Sequence, residues 1–187
     1  MTTQPPCERD KTTDLLDFTD CNLYFEDALP AEAEALLDRA SAEYGEPGAE
    51  TALLGAYALA PRNLTVLVGL YRFYFYQHRM EDALHVADQA MSVSGSTLGL
   101  PADWRHLTPA CVAAAAADRQ FALLRFYLLA LKAASIVLLR LRRIDEAKAR
   151  LKMIATLDSK DHLDSAKLLE VIAEFHELPE DETALAA

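Results

Sequence analysis

Apolar and small residues return along this chain in the i, i+3, i+4 rhythm of amphipathic helices, and the rhythm itself repeats. Leu36, Ala40, Ala49, Leu53, Ala56 and Pro61 recur 34 residues later as Leu70, Tyr74, Ala83, Ala87, Ala90 and Gly95. Turn-forming stretches, Tyr44-Gly45-Glu46-Pro47-Gly48 and Gln77-His78-Arg79-Met80, fall between the apolar runs. The spacing predicts two helix–turn–helix units. The first covers about 30–63, with Pro30 in the first turn, Leu36, Leu37 and Ala40 facing inward, and a second helix over 49–60 that buries Leu53 and Ala56 and stops at Pro61. The second covers about 64–97, with an aromatic-rich first helix and a second helix over 81–93 that Ser94-Gly95-Ser96 ends.

Residues 98–127 break the period as an insertion. Leu98-Gly99-Leu100-Pro101 reads as a loop, Asp103 as the cap of a short helix bearing Trp104, and Thr108-Pro109 as the cap and first residue of another helix. A long helix follows over 119–141. A third unit, about 128–161, places Leu131, Ala134, Leu138, Ala147, Leu151 and Ile154 at a displacement of 64 from Leu67, Leu70, Tyr74, Ala83, Ala87 and Ala90, which is 34 plus an insertion of 30. Its turn, Arg142-Arg143-Ile144-Asp145-Glu146-Ala147, matches Arg79-Met80-Glu81-Asp82-Ala83. A capping helix over 162–176 carries Leu163, Leu168, Leu169, Ile172 and Phe175 on one side. Residues 1–13 are expected to be disordered, 14–29 to form an acidic-hydrophobic capping segment, and 177–187 to be a flexible tail. The fold class expected is all-α.

Leu67-x2-Leu70-Tyr71-x2-Tyr74 followed by Ala83-x3-Ala87-x2-Ala90 resembles the tetratricopeptide repeat pattern. The resemblance covers about 30–97 and 128–176. It departs at the slot after Leu70, usually a small residue, which here is Tyr71, with Leu37 and Ser135 in the equivalent places. The resemblance implies a short right-handed helical solenoid whose concave wall comes from the first helix of each repeat. The wall slots are Thr65, Val68, Arg72, Phe75 and Tyr76 in the second repeat, Leu129, Lys132, Ile136, Leu139 and Arg140 in the third, and Ala31, Glu34, Asp38, Ser41 and Ala42 in the first. Repeats of this kind build binding surfaces. The partner-binding residues expected are therefore Thr65, Val68, Arg72, Phe75, Tyr76, Lys132, Ile136 and Arg140, with Trp104 on the insertion as a second contact.

Charge sharpens that expectation. The chain of 187 residues has 29 acidic and 18 basic residues, which argues against nucleic acid as a partner. Residues 1–63 carry 13 acids and 4 bases, 118–152 carry 3 acids and 9 bases, and 153–187 carry 9 acids and 2 bases. A basic middle lies between acidic ends. A groove with Arg72, Lys132 and Arg140 among apolar and aromatic slots suits a protein or peptide segment with both acidic groups and apolar anchors. The same basic stripe also suits the chain's own acidic segment, 14–27, or its acidic C-terminal helix. Phe121–Leu141 has the length of a membrane span, but Arg125, Lys132 and Arg140 cluster on one face, so no span is expected.

No catalytic motif is present: the sequence has no HExxH, GxSxG, GxGxxG or phosphate-binding glycine loop. His78, His85, His106, His162 and His176 lack metal-ligand spacing, and Cys7, Cys21 and Cys111 form no CxxC. Cys111, beside an alanine run, is expected to be a small buried hydrophobe. No catalytic residue, metal or cofactor is expected. The function expected is a cytoplasmic, non-catalytic adaptor or assembly chaperone. The alternatives are a sensor of a small peptide or metabolite, and an accessory subunit that touches an enzyme through the insertion.

Overall fold

The computed structural model describes residues 28–117 and 120–177. The expectations for 1–13, most of 14–29 and most of the tail lie outside the described residues. Every regular element among the described residues is helical: α1 (Ala31–Ala42), α2 (Pro47–Leu59), α3 (Leu64–Tyr76), α4 (Met80–Thr97), a 3₁₀ turn (Trp104–His106), α5 (Pro109–Ala117), α6 (Phe121–Arg140), α7 (Ile144–Leu157) and α8 (Ser165–Glu177).

Short turns join α1 to α2, α3 to α4 and α6 to α7, which pack as antiparallel pairs. The slots that define the period form the core between them. Leu53, Ala56, Leu67, Leu70, Ala83, Ala87, Leu131, Ala134, Leu138, Ala147, Leu151 and Ile154 are all buried. The 64-residue displacement is also a displacement of backbone geometry. At the α3–α4 turn the N–H of Gln77, His78 and Arg79 is donated to the carbonyls of Phe73, Phe75 and Tyr74. At the α6–α7 turn Leu141, Arg142 and Arg143 donate to Val137, Leu139 and Leu138. His78 and Arg142 both have φ of 59°, the left-handed conformation that closes a helix end. The α1–α2 turn is one residue longer and uses Gly45 at φ 95°, where a side chain would be strained.

The insertion does not separate the pairs. α4 packs broadly along α6, α5 leans on α6 and the edge of α7, and α8 covers α7. The long apolar helix is thus internal: 56% of its most apolar window is buried, although by length and composition alone it is long enough to cross a membrane.

Three boundaries differ from the sequence reading, one of them the start of the capping helix, which is Ser165 and not 162. Pro47 begins α2 instead of belonging to the turn, because a first-turn residue has no intrahelical use for the N–H that proline lacks. Ser94-Gly95-Ser96 does not end α4, which runs on to Thr97. Ser94, Ser96 and Thr97 turn their hydroxyls back onto the carbonyls of Ala90 and Val93, and Gly95 lies against the ring of Tyr127 on α6, so packing overrides the local break signal. Cys111 is half-buried rather than buried. It sits in the first turn of α5, where its N–H is donated to Thr108 Oγ1 at 3.2 Å.

Candidate functional site

The capping of α3 fixes the principal groove. The side-chain oxygen of Asn63 accepts from the N–H of Thr65 at 3.0 Å and of Val66 at 3.3 Å. From that start, Leu64, Leu67, Leu70, Phe73 and Tyr74 turn into the core. The opposite stripe, Thr65, Val68, Arg72 and Tyr76, follows the same helical spacing and lines an open cavity of about 650 Å³ between α3 and α1. Leu37, Ser41 and Tyr44 form the facing wall. Tyr44 is 53% exposed and Tyr76 60%, an unusual pair of exposed aromatic rings at one mouth. Tyr44 is held edge-on to the ring of Phe73, 6.4 Å between centroids.

Arg72 is exposed at this groove and makes no ion pair with any described residue. Arg79, one turn beyond the end of the same helix, is the contrast. Its guanidinium donates to Glu50 at 2.5 Å and Asp82 at 2.7 Å and covers the ring of Tyr74 at 4.5 Å. Those two carboxylates raise the Arg79 pKa further, whereas burial, followed by the field of Glu50, raises that of Tyr74. Tyr71, on the flank of α3, is pushed up to about 12 by burial and then by Tyr76, so it is a neutral phenol at any ordinary pH.

Thr65, Val68, Arg72 and Tyr76 therefore converge, joined by Ser41 from the first-repeat set. The other expected residues do not. Phe75 is half-buried, stacks on Tyr71 at 5.8 Å and lies 5.8 Å beneath the guanidinium of Arg140. One residue along a helix is a rotation of about 100°, which takes Phe75 out of the stripe of Tyr76 and toward α6. Lys132 and Ile136 are half-buried on α6, outside the groove lining, and Lys132 is close enough to Asp164 to help lower its pKa, after the larger effect of Lys167. Of the basic stripe, Arg72 alone reaches the groove. Tyr44 was hidden in the sequence by its place in a glycine turn, and Leu37 by its part in the core stripe.

Trp104 belongs to a separate cleft of about 390 Å³, walled by α4, α6, α7 and the loop before the 3₁₀ turn. Asp103 shapes that turn by accepting from the N–H of Arg105 at 2.9 Å, the bond that also holds its carboxyl below the usual carboxylate range. The guanidiniums of Arg105 and Arg150 lie 4.6 Å and 5.5 Å from the indole centroid. Arg150 is almost wholly buried and donates to both carboxylate oxygens of Asp88, at 2.5 and 3.3 Å. The sequence signal for this cleft was an arginine set on the apolar stripe of Ala147, Leu151 and Ile154. Among the described residues no group of three or more His, Cys, Asp and Glu side chains is placed to hold a metal ion.

The chain is similar to a protein of Azotobacter chroococcum mcd 1 described as "Uncharacterized 19.8 kDa protein in nifW 5'region". The two are 48% identical over 161 residues, which span 86% of this chain and 89% of that protein. No family model matches the chain, and no solved structure matches it.

Proposed function

The chain belongs to the family of that Azotobacter protein of the nifW 5′ region, and we propose that it is a non-catalytic interaction module that holds a partner segment in the groove between α1 and α3. The observation that carries this reading is the groove itself: an open apolar channel, two exposed tyrosines at its mouth and one arginine that pairs with no carboxylate among the described residues. Apolar anchors would settle on Val68, Leu37 and the rings of Tyr44 and Tyr76, and a carboxylate would take the Arg72 guanidinium. The segment recognised is therefore acidic, with apolar or aromatic side chains.

The paired helices are, on this reading, tetratricopeptide-like repeats forming a short solenoid. The matching turn geometry at His78–Arg79 and Arg142–Arg143 supports it, as does the burial of Leu67, Leu70, Tyr74, Ala83, Ala87 and Ala90 and of their counterparts Leu131, Ala134, Leu138, Ala147, Leu151 and Ile154. The role is that of an adaptor or assembly chaperone in the cytoplasm. The printed name of the relative makes the nifW product the first partner to test in an organism that carries both genes.

The experiment is affinity capture with the full chain, wild type beside the Arg72→Ala/Tyr76→Ala double variant. A partner recovered by wild type and lost or at least tenfold depleted with the variant supports the groove. The reading fails if every partner binds both proteins equally. It gives way to the insertion surface if Trp104→Ala alone removes the partner.

A further inference from the structure

Three local departures meet in the Trp104 cleft. Gly95 stands in the last turn of α4, in a Ser94-Gly95-Ser96 run whose composition would ordinarily end the helix. A Cβ there would come 3.0 Å from the Tyr127 ring, so the glycine lets that ring lie against the helix backbone. Arg150 stands on a core stripe, where its equivalent 64 residues earlier is the buried Val86. Tyr127 is only 3% exposed, and its hydroxyl is not one of the buried unsatisfied polar atoms: it lines the cleft, within the fields of Arg150 and Asp103 and with no hydrogen-bond partner among the described residues. Local rules broken together at one place are characteristic of a site built for something other than stability.

The unused hydrogen-bonding capacity of the cleft has two signs. Tyr127 is a donor: burial, with a smaller contribution from Asp103, pushes its pKa up to about 12, and Arg150 opposes this only in part. Arg150 commits Nη1 and Nη2 to Asp88, and a guanidinium has five N–H groups, so donors remain. Asp103 supplies the acceptor: its Oδ1 takes both bonds from Arg105, at 2.9 and 3.4 Å, and its second oxygen has no partner among the described residues. The formal charges of the lining, Arg105 and Arg150 against Asp88 and Asp103, cancel. A ligand of one sign would leave an uncompensated charge in a half-enclosed place, whereas one bearing both signs would not. The volume, about 390 Å³, lies at the small end of ligand pockets.

We propose that this cleft is a second binding site, distinct from the α1–α3 groove, for a compact zwitterion of the free α-amino-acid type. Its carboxylate accepts from the Tyr127 hydroxyl and the remaining Arg150 donors, its ammonium donates to Asp103, and its side chain lies against Trp104 and Leu100.

Trp104 is the only tryptophan in the chain, so its emission reports the cleft directly. The test titrates the purified full chain with each standard L-amino acid to millimolar concentration, follows Trp104 emission and verifies each response by calorimetry. The best binder is then repeated as its N-acetyl and carboxamide derivatives. The expected result is saturable binding by at least one amino acid and loss of binding by both derivatives. Tyr127→Phe should weaken binding by about tenfold or more, since a hydrogen bond to a charged group is lost. That variant removes an unpartnered hydroxyl and should fold as wild type does. Asp103→Asn gives a second arm, because asparagine keeps the cap of the 3₁₀ turn and removes the charge. Arg72→Ala should bind normally, which separates this site from the groove. No saturable response to any amino acid overturns the proposal, and so does unchanged affinity in both Tyr127→Phe and Asp103→Asn, or equal binding of both derivatives.

Discussion

Arg150 shows how one residue can contradict the pattern around it. Ala147, Leu151 and Ile154 are fully buried, and Arg150 between them is nearly so, held by a carboxylate that is itself half-exposed. Removing the carboxylate leaves a guanidinium in the core without a counter-charge, whereas replacing the arginine with an apolar side chain leaves the carboxylate free to hydrate. Asp88→Ala is therefore expected to lower the unfolding free energy by about 1–3 kcal/mol, and Arg150→Met by less, as measured by urea denaturation. At this scale the candidate groove was partly legible in the sequence. Thr65, Val68, Arg72 and Tyr76, which the repeat resemblance places on the concave wall, do line one cavity. Phe75, Lys132 and Arg140 were placed there by a repeat template, and what moves them is tertiary: the ring of Phe75 is taken by Tyr71 and Arg140, and Lys132 lies in the field of Asp164. Tyr71 and Phe75 are neighbours one turn apart on α3, but nothing local in the sequence announces the approach of Arg140 to Phe75 or of Lys132 to Asp164.

Among the elements, the hairpin turns repeat most closely. Arg79 and Arg143 each follow a left-handed residue and each grip an acid three residues on, Asp82 and Glu146. Each also reaches an acid on an earlier α2 or α4 helix, Glu50 and Glu81 respectively. The Glu146 carboxyl is held below its usual range chiefly by its hydrogen bond from Arg143. An Arg143→Met variant should return it toward the ordinary glutamate value, a change that side-chain NMR titration measures directly. The left-handed residues carry a conformational cost of about 1–2 kcal/mol that glycine avoids, although glycine loses more entropy on folding. His78→Gly is thus expected to be neutral or to stabilise by up to about 1 kcal/mol, while His78→Val, β-branched at φ 59°, destabilises by at least about 1 kcal/mol in thermal melts. The helices and the 64-residue displacement were readable from apolar spacing. The end of α4 was not, because Ser94-Gly95-Ser96 has the composition of a stop, and only the Tyr127 ring on a distant helix shows why the chain continues.

For the whole molecule, acidity decides the pH response. Asp103, Glu146 and Asp164 all have carboxyls held below their ordinary values, by the Arg105 backbone, Arg143 and Lys167 respectively. A depressed folded-state pKa contributes stability that is complete above the unfolded value, about 4, and is lost as pH falls through the folded value. Urea midpoints should therefore stay level from neutrality down to about pH 5 on account of these groups and fall below about pH 4. The insertion, which interrupts the sequence period, leaves α4 packed on α6 and creates a second concavity, so the same break that offsets the repeats supplies the Trp104 cleft. The central claim remains the groove between α1 and α3. Its most direct test is a photo-crosslinking amino acid placed at Tyr76 of the full chain in its own cells. The expected result is a crosslink to one partner protein, through an acidic segment with apolar side chains, that Arg72→Ala abolishes. Crosslinking that ignores Arg72, or that occurs from Trp104 and not from Tyr76, would contradict it.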